Sequence, residues 1–333
     1  MIGELFIGLA IETGPRITFR GTPGSEYTRY DDLRGYAFKK SCSARHRILL
    51  NDQETVTDVY YHSDKYGLRI SPRNDNPDAK VVVFFGCSFA FGESVNDNET
   101  LPYLFQFNSN NKYRSYNFAF KGYGPHQMLR IIETGLMDGI LPKKPDMAIY
   151  LAITLQIDRA AGNYPYLVWD VSGPKYKLNK NNEVEFCGKF MPYRWFSRLF
   201  AQLDKSFIFK RLLPKVIGHR RNQDDINLFI AIIKKSRDLW VKKYKAPFYV
   251  ILFGKKWGNE DVKDFDVVLK GLRENNIDVI TTDTIFSRYH DNKLKYIKHK
   301  YDMHPSKLAY ERIADYLLNH YLRNQHTIYT SRY

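Results

Sequence analysis

Apolar positions along the chain follow two rhythms. Runs such as Val81-Val82-Val83-Phe84-Phe85 and Met147 to Ile153 are continuously apolar, as strands buried on both faces are. Between them, Met128, Ile131, Ile132 and Leu136 return at helical spacing from His126 to about Gly139. Thr100, whose hydroxyl can cap, opens a helix through Leu101, Leu104 and Phe105, and Ser115 to Phe120 reads as a second strand. Further on, Ile226, Phe229, Ile230, Ile233 and Trp240 mark a long amphipathic helix. A strand at Pro247–Phe253, a helix at Asp261–Asn275 and a strand at Ile277–Thr282 follow. The last helix carries Ala309, Ile313 and Leu317 on one face, with Pro305 suited to its first turn. This alternation predicts an α/β fold with a parallel sheet and crossover helices.

Two stretches break the rhythm. Residues 1–78 form a β-rich lead-in, with Thr55 to Tyr61 as strand, a turn at Asp64-Lys65-Tyr66-Gly67-Leu68-Arg69 and a polar connector from Ser71 to Pro77. Residues 162–223, punctuated by Pro165, Gly173, Pro174, Gly188 and Pro192, read as an insertion. It carries a basic, aromatic helical pattern from Arg194 to Leu213, and is either a lid over the strand ends or a surface excursion. The α/β unit itself spans 79–161 and 224–325.

Charge and composition narrow the partners. The 333 residues include 51 basic and 36 acidic side chains, a net charge of +15, which favours acidic partners without choosing among polysaccharide, lipid headgroup and nucleic acid. No nucleic-acid motif accompanies the charge, so nucleic acid ranks last. The 25 Tyr and 22 Phe suit sugar stacking and equally suit core filling. Cys42, Cys87 and Cys187 are too scattered for a zinc site or a disulfide framework, so no metal is expected. Leu5 to Ile11 is too short to span a bilayer and lacks a basic leader. The compartment stays open between cytoplasm and a mature exported form. Lys293 to Lys300 reads as a solvated basic face.

Ser88 falls just past the first sheet strand, at the carboxyl edge where open α/β sheets bind ligands. It is therefore a candidate nucleophile, with a plain Gly-Ser turn as the alternative. A serine needs a base, and a histidine oriented by a carboxylate is the usual one. His304, before the last helix, and Asp302, two residues earlier, could supply both. The N–H groups of Ser88 and Gly122 could serve a developing oxyanion, and Asn117 could hold the Gly122 loop. Gln127 occupies the place of the third glycine of a dinucleotide fingerprint, and Ala90 that of the second glycine of GxSxG, which argues against both motifs.

Taken together, Gly86-Cys87-Ser88-Phe89-Ala90-Phe91-Gly92, Asn117-Phe118-Ala119-Phe120-Lys121-Gly122-Tyr123-Gly124 and Asp302-Met303-His304-Pro305 resemble three blocks of the SGNH, or GDSL-type, hydrolases. The lead-in is similar to the β-rich segment preceding the catalytic domain in some bacterial members. The resemblance implies a flavodoxin-like three-layer α/β/α sandwich. It also implies ester hydrolysis through an acyl-serine intermediate, without metal or cofactor: Ser88 as nucleophile, His304 as base, Asp302 as its partner, and Ser88 and Gly122 as oxyanion donors. One block departs. Where the family has an asparagine amide after the third strand, this chain reads Thr154-Leu155-Gln156-Ile157-Asp158-Arg159. Gln156 or Thr154 could replace the amide, and Arg159 could bind an acidic substrate group. The expectation is a serine esterase acting on short O-acyl groups, acetyl above all, on a carbohydrate that could be anionic. The alternatives are an O-acyltransferase using the same site, and a degenerate hydrolase fold that binds an anionic polymer.

Overall fold

The computed structural model describes residues 16–163, 166–168, 170–191, 203, 221–254, 262–289 and 292–321. The apolar run at Leu5–Ile11 lies outside them, as does the basic pattern at Arg194–Leu213 apart from Leu203.

The lead-in is built of β1 (Ile17–Gly21), β2 (Thr28–Asp31), β3 (Gly35–Phe38), β4 (Ser43–Leu50) and β5 (Glu54–His62). β1, β4 and β5 make an antiparallel sheet, and β2 and β3 a hairpin. The sandwich follows with β6 (Lys80–Gly86), β7 (Tyr113–Asn117), β8 (Met147–Ala152), β11 (Phe248–Leu252) and β12 (Asp278–Thr281), all parallel in the order β12-β11-β8-β6-β7. Counted within the sheet, that is 2-1-3-4-5, the flavodoxin-like order. Its reversal lies between β6 and β8, which is where such sheets open a crevice.

Period-two alternation makes the strands serve two layers at once. Val82, Phe84, Ile149, Leu151 and Ile251 face one core, shared with helices Leu101–Asn108 and Lys307–Tyr316 and with lead-in residues Phe38 and Tyr61. Val81, Val83, Phe85, Tyr150 and Val250 face the other, under helices Pro125–Thr134, Gln223–Tyr244 and Val262–Glu274. All five apolar residues of β6 are essentially inaccessible. Burial of such side chains stabilises by roughly 1.5–3 kcal/mol each, so this strand anchors the sandwich.

The helix ends follow local chemistry. Thr100 accepts from the Tyr103 N–H at 3.4 Å, and Asn222 and Asp225 form a reciprocal capping box at 3.1 and 3.0 Å. The helix expected from His126 to about Gly139 stops at Thr134, because Gly135 takes a left-handed conformation with φ 66°. Pro305 does not open the last helix. Ser306 caps it, accepting from the Ala309 N–H at 3.3 Å, and Pro305 ends a short strand instead. That strand, β14 (Asp302–Pro305), pairs antiparallel with β13 (Ile297–His299), so the basic run at Lys293–Lys300 is partly a pairing strand rather than only a solvated face.

Within the insertion, β9 (Pro174–Leu178) and β10 (Val184–Lys189) form a hairpin. Tyr176 and Val184 pack it on the flank of the helices, against Leu129, Ala160 and Ile232. No described helix is long and apolar enough to cross a membrane.

Candidate active site

Gly86 ends β6 at φ 144°, and a Cβ there would come within 2.9 Å of the Leu151 carbonyl oxygen and 2.8 Å of the Ala90 Cβ. Only glycine allows the chain to turn so close to β8. Cys87 is then fully buried in the core, as a small apolar thiol should be. Ser88 opens the short helix Ser88–Phe91 on the wall of a cavity of about 1400 Å³.

The same cavity is lined by Gly122, Thr154, Arg159, Asp302 and His304. Residues far apart in the chain, 88 near the first quarter and 304 near the end, are thus brought to one rim. Phe89, next to Ser88, meets the His304 ring edge-on at 5.5 Å. Asp302 Oδ1 lies 2.6 Å from His304 Nδ1, and Thr57 of the lead-in donates to Asp302 Oδ2 at 3.4 Å. Short strand β14 carries both members of this pair.

Asn117 is buried and bridges two blocks. Its amide donates to the Ala90 carbonyl at 3.0 Å and its oxygen accepts from the Ala119 N–H at 3.1 Å, tying the Ser88 helix to the chain that leads to Gly122. Gly122 sits at φ 79°, and a Cβ there would strike the Tyr36 hydroxyl, which donates to the Lys121 carbonyl at 2.8 Å. Among the described residues neither the Ser88 nor the Gly122 N–H has an acceptor, as expected for a first-turn helix N–H in the case of Ser88.

The third block places its two candidate replacements differently. Gln156 is fully buried but turned back into its own strand end. Its oxygen accepts from the Tyr150 hydroxyl at 2.8 Å and the Ile153 N–H at 3.1 Å, and its amide donates to the Leu151 carbonyl at 3.4 Å. It does not line the cavity, so it is not in place as a donor to an oxyanion. Thr154 lines the cavity and is 1 % exposed. Arg159 lies against the Gly122 loop, donating from Nη1 to the Tyr123 carbonyl at 3.1 Å.

One residue escaped the sequence reading. Glu93 Oε2 sits 3.4 Å from His304 Nε2, on the ring nitrogen opposite Asp302, while Glu93 Oε1 is bridged to Lys121 Nζ at 2.8 Å. Burial would raise the Glu93 pKa, but Lys121, His304 and His46 outweigh it and bring it down to about 2. Burial likewise works against Asp302, whose bond to His304 prevails and lowers it to about 2. Burial would depress His304. The Glu93 carboxylate and the bond from Asp302 overcome it, holding the imidazole above its ordinary value. His46, from β4, is pushed down to about 4 by burial and by Lys121. It is neutral at pH 7, with Nε2 3.8 Å from Glu93.

Glu93 is held by an unusual clamp. Arg69, from the turn singled out in the lead-in, is 2 % exposed and donates to the carbonyls of Phe91, Gly92 and Val95 and to Asp97 Oδ1 at 2.8 Å. Its guanidinium also lies over the rings of Tyr61 and Phe91, at 4.4 and 4.8 Å. The loop carrying Glu93 is thereby gripped on both sides.

Among the described residues no group of His, Cys, Asp and Glu could hold a metal ion. The sequence matches no protein-family model, and no curated protein is significantly similar to it. Solved structures are similar at low identity. One is described as a lipolytic protein of the G-D-S-L family from Desulfitobacterium hafniense DCB-2 (14 % identity, 72 % of this chain and 98 % of that one, TM-score 0.39). Others are the psychrotrophic esterase EstA from Pseudoalteromonas sp. (13 %, 74 % and 99 %, 0.38) and a two-domain esterase active on acetylated mannans (10 %, 74 % and 49 %, 0.39). The three sequence blocks lie together on the wall of the cavity, beside a parallel sheet in the order 2-1-3-4-5.

Proposed function

We propose that the protein is a serine esterase that cleaves O-acyl groups through an acyl-serine intermediate. The observation that carries this reading is the Asp302–His304 pair, closed at 2.6 Å on the rim of the cavity that Ser88 also lines. Ser88 Oγ attacks the ester carbonyl and passes its proton to His304 Nε2. The tetrahedral oxyanion is met by the N–H groups of Ser88 and Gly122, and His304 returns the proton to the leaving alkoxide. Water, activated by the same imidazole, then releases the acid. Asp302 keeps Nδ1 protonated and supports the imidazolium. Thr154, on the cavity wall, is the donor we assign to the place of the missing amide.

His304 Nε2 also lies 3.4 Å from the Glu93 carboxylate, so Glu93 competes with Ser88 for that nitrogen. The cavity exceeds the roughly 300–1000 Å³ of common small-ligand sites, which suits a substrate whose alcohol part is a sugar or larger. The insertion reaches it through Tyr166 and Arg221, which gives it the part of a partial lid.

The test is covalent labelling by a fluorophosphonate probe together with hydrolysis of p-nitrophenyl acetate. Labelling confined to Ser88, with both signals lost in Ser88→Ala, is the expected result. Turnover that persists in Ser88→Ala would sink the proposal, and absence of labelling in the wild type would favour a binding protein.

A further inference from the structure

Among the described residues four cationic side chains line the cavity: Arg29, Lys121, Arg159 and Arg221. Three of them are neutralised where they stand. Arg29 pairs with Asp31 at 3.0 Å, Lys121 with Glu93 at 2.8 Å, and Arg221 with both Asp158 and Asp264. Arg159 has no ion pair among the described residues. It is 8 % exposed, and its Nε–H is sealed from water without an acceptor. Asp170, close enough to feel its charge, is bound instead by His126 at 2.7 Å and Gln127 at 2.6 Å.

A buried guanidinium without a counterion is costly, and proteins keep such charges paired. Its Nη1 donates to the Tyr123 carbonyl at 3.1 Å, the Cys87 side chain lies within bonding reach and the Tyr166 ring is 5.5 Å away, and none of these is a carboxylate. Nε–H still lacks an acceptor, and guanidinium groups take carboxylates with two parallel bonds. The carboxylates on the cavity wall do not compete for it, since Glu93 is bridged to Lys121 and Asp302 is bound to His304.

We infer that Arg159 is a subsite for a substrate carboxylate, so that the preferred ester carries a negative charge close to the acyl group. This rests on the esterase reading above for its consequence in catalysis, but not for the binding itself. A carboxylate entering the cavity exchanges its hydration for two charge-assisted bonds and supplies the counterion that the folded chain lacks. The overall charge of +15 adds a long-range pull on such a ligand.

Two measurements test this. In the first, kcat/KM is compared for an O-acetylated methyl glucuronoside and its neutral methyl ester, and for mono-p-nitrophenyl glutarate against p-nitrophenyl valerate. The two pairs place the carboxylate on the alcohol side and on the acyl side. The wild type is expected to prefer the charged member of one pair by on the order of 10- to 100-fold. Arg159→Gln should collapse that ratio, and Arg159→Lys restore part of it. A ratio near one in the wild type, or a ratio unchanged in Arg159→Gln, overturns the subsite, as does an equal loss on charged and neutral esters. The second measurement is glucuronate and glutarate binding to Ser88→Ala by calorimetry, which needs no turnover. Binding that disappears in the Ser88→Ala/Arg159→Gln double variant upholds the subsite even if no ester is hydrolysed. Absence of binding to Ser88→Ala, or binding that the second substitution leaves intact, removes it.

Discussion

The two walls of the cavity are built on opposite electrical terms. Around His304 the charges are answered: Asp302 on one ring nitrogen, Glu93 facing the other, Lys121 on Glu93, and Arg69 gripping the loop behind. Around Arg159 the account is left open, with a buried cation that no described carboxylate bridges and an amide turned away into its own strand end. A wall closed on itself holds geometry and sets proton affinities. An open one waits for something to bind. On the reading proposed above, the first wall carries the chemistry and the second the recognition.

The comparison can be broken most forcefully at Ser88. Ser88→Ala should lower kcat by roughly 10⁴- to 10⁶-fold in steady-state ester hydrolysis, while circular dichroism stays unchanged. Arg69→Met comes next, because it strips the closed wall of its clamp. It should cost about 3–5 kcal/mol in urea unfolding, since Asp97 and three carbonyls lose a buried partner. Gln156→Leu should cost about 1–3 kcal/mol by leaving the Tyr150 hydroxyl unanswered, with kcat nearly unchanged. A large fall in kcat with normal stability would return Gln156 to the oxyanion site.

The smallest effect is the most discriminating. In the proposed mechanism His304 is a base only when neutral, and its pKa is raised, so kcat/KM should fall as pH drops through a value above 6.5. Glu93→Gln removes one of the two carboxylates that raise it and should shift that acidic limb to lower pH. Arg159→Gln should leave the limb where it is. A pH profile that moved with Arg159 and not with Glu93 would reverse the division between the walls.

Much of this was legible in the chain. Continuous apolar runs announced strands covered on both sides, and Val81 to Phe85 is one. Ser88, Gly122 and His304 were readable because each sits beside a strand end or helix start that the pattern already marked. Other features were not. A side chain's direction in a loop depends on partners distant in sequence, so Gln156 and Thr154 looked interchangeable until Tyr150 and Leu151 claimed the amide. Glu93 carried no local signal. Its importance comes from Lys121 and His304, 28 and 211 positions away, converging on it through the sheet order. The short pairing of β13 with β14 was hidden for a similar reason: β14 is four residues long and contains a proline.

The lead-in touches this centre at three points, with Thr57 on Asp302, Tyr36 against the Gly122 turn, and His46 beside Glu93. It cannot then be treated as a detachable accessory. A chimera that grafted another protein's first 78 residues onto this sandwich would exchange the floor of the reaction chamber along with its wrapping. Conversely, combinatorial libraries confined to β4, β5 and the β2–β3 hairpin offer a route to altered turnover that never edits the three blocks themselves.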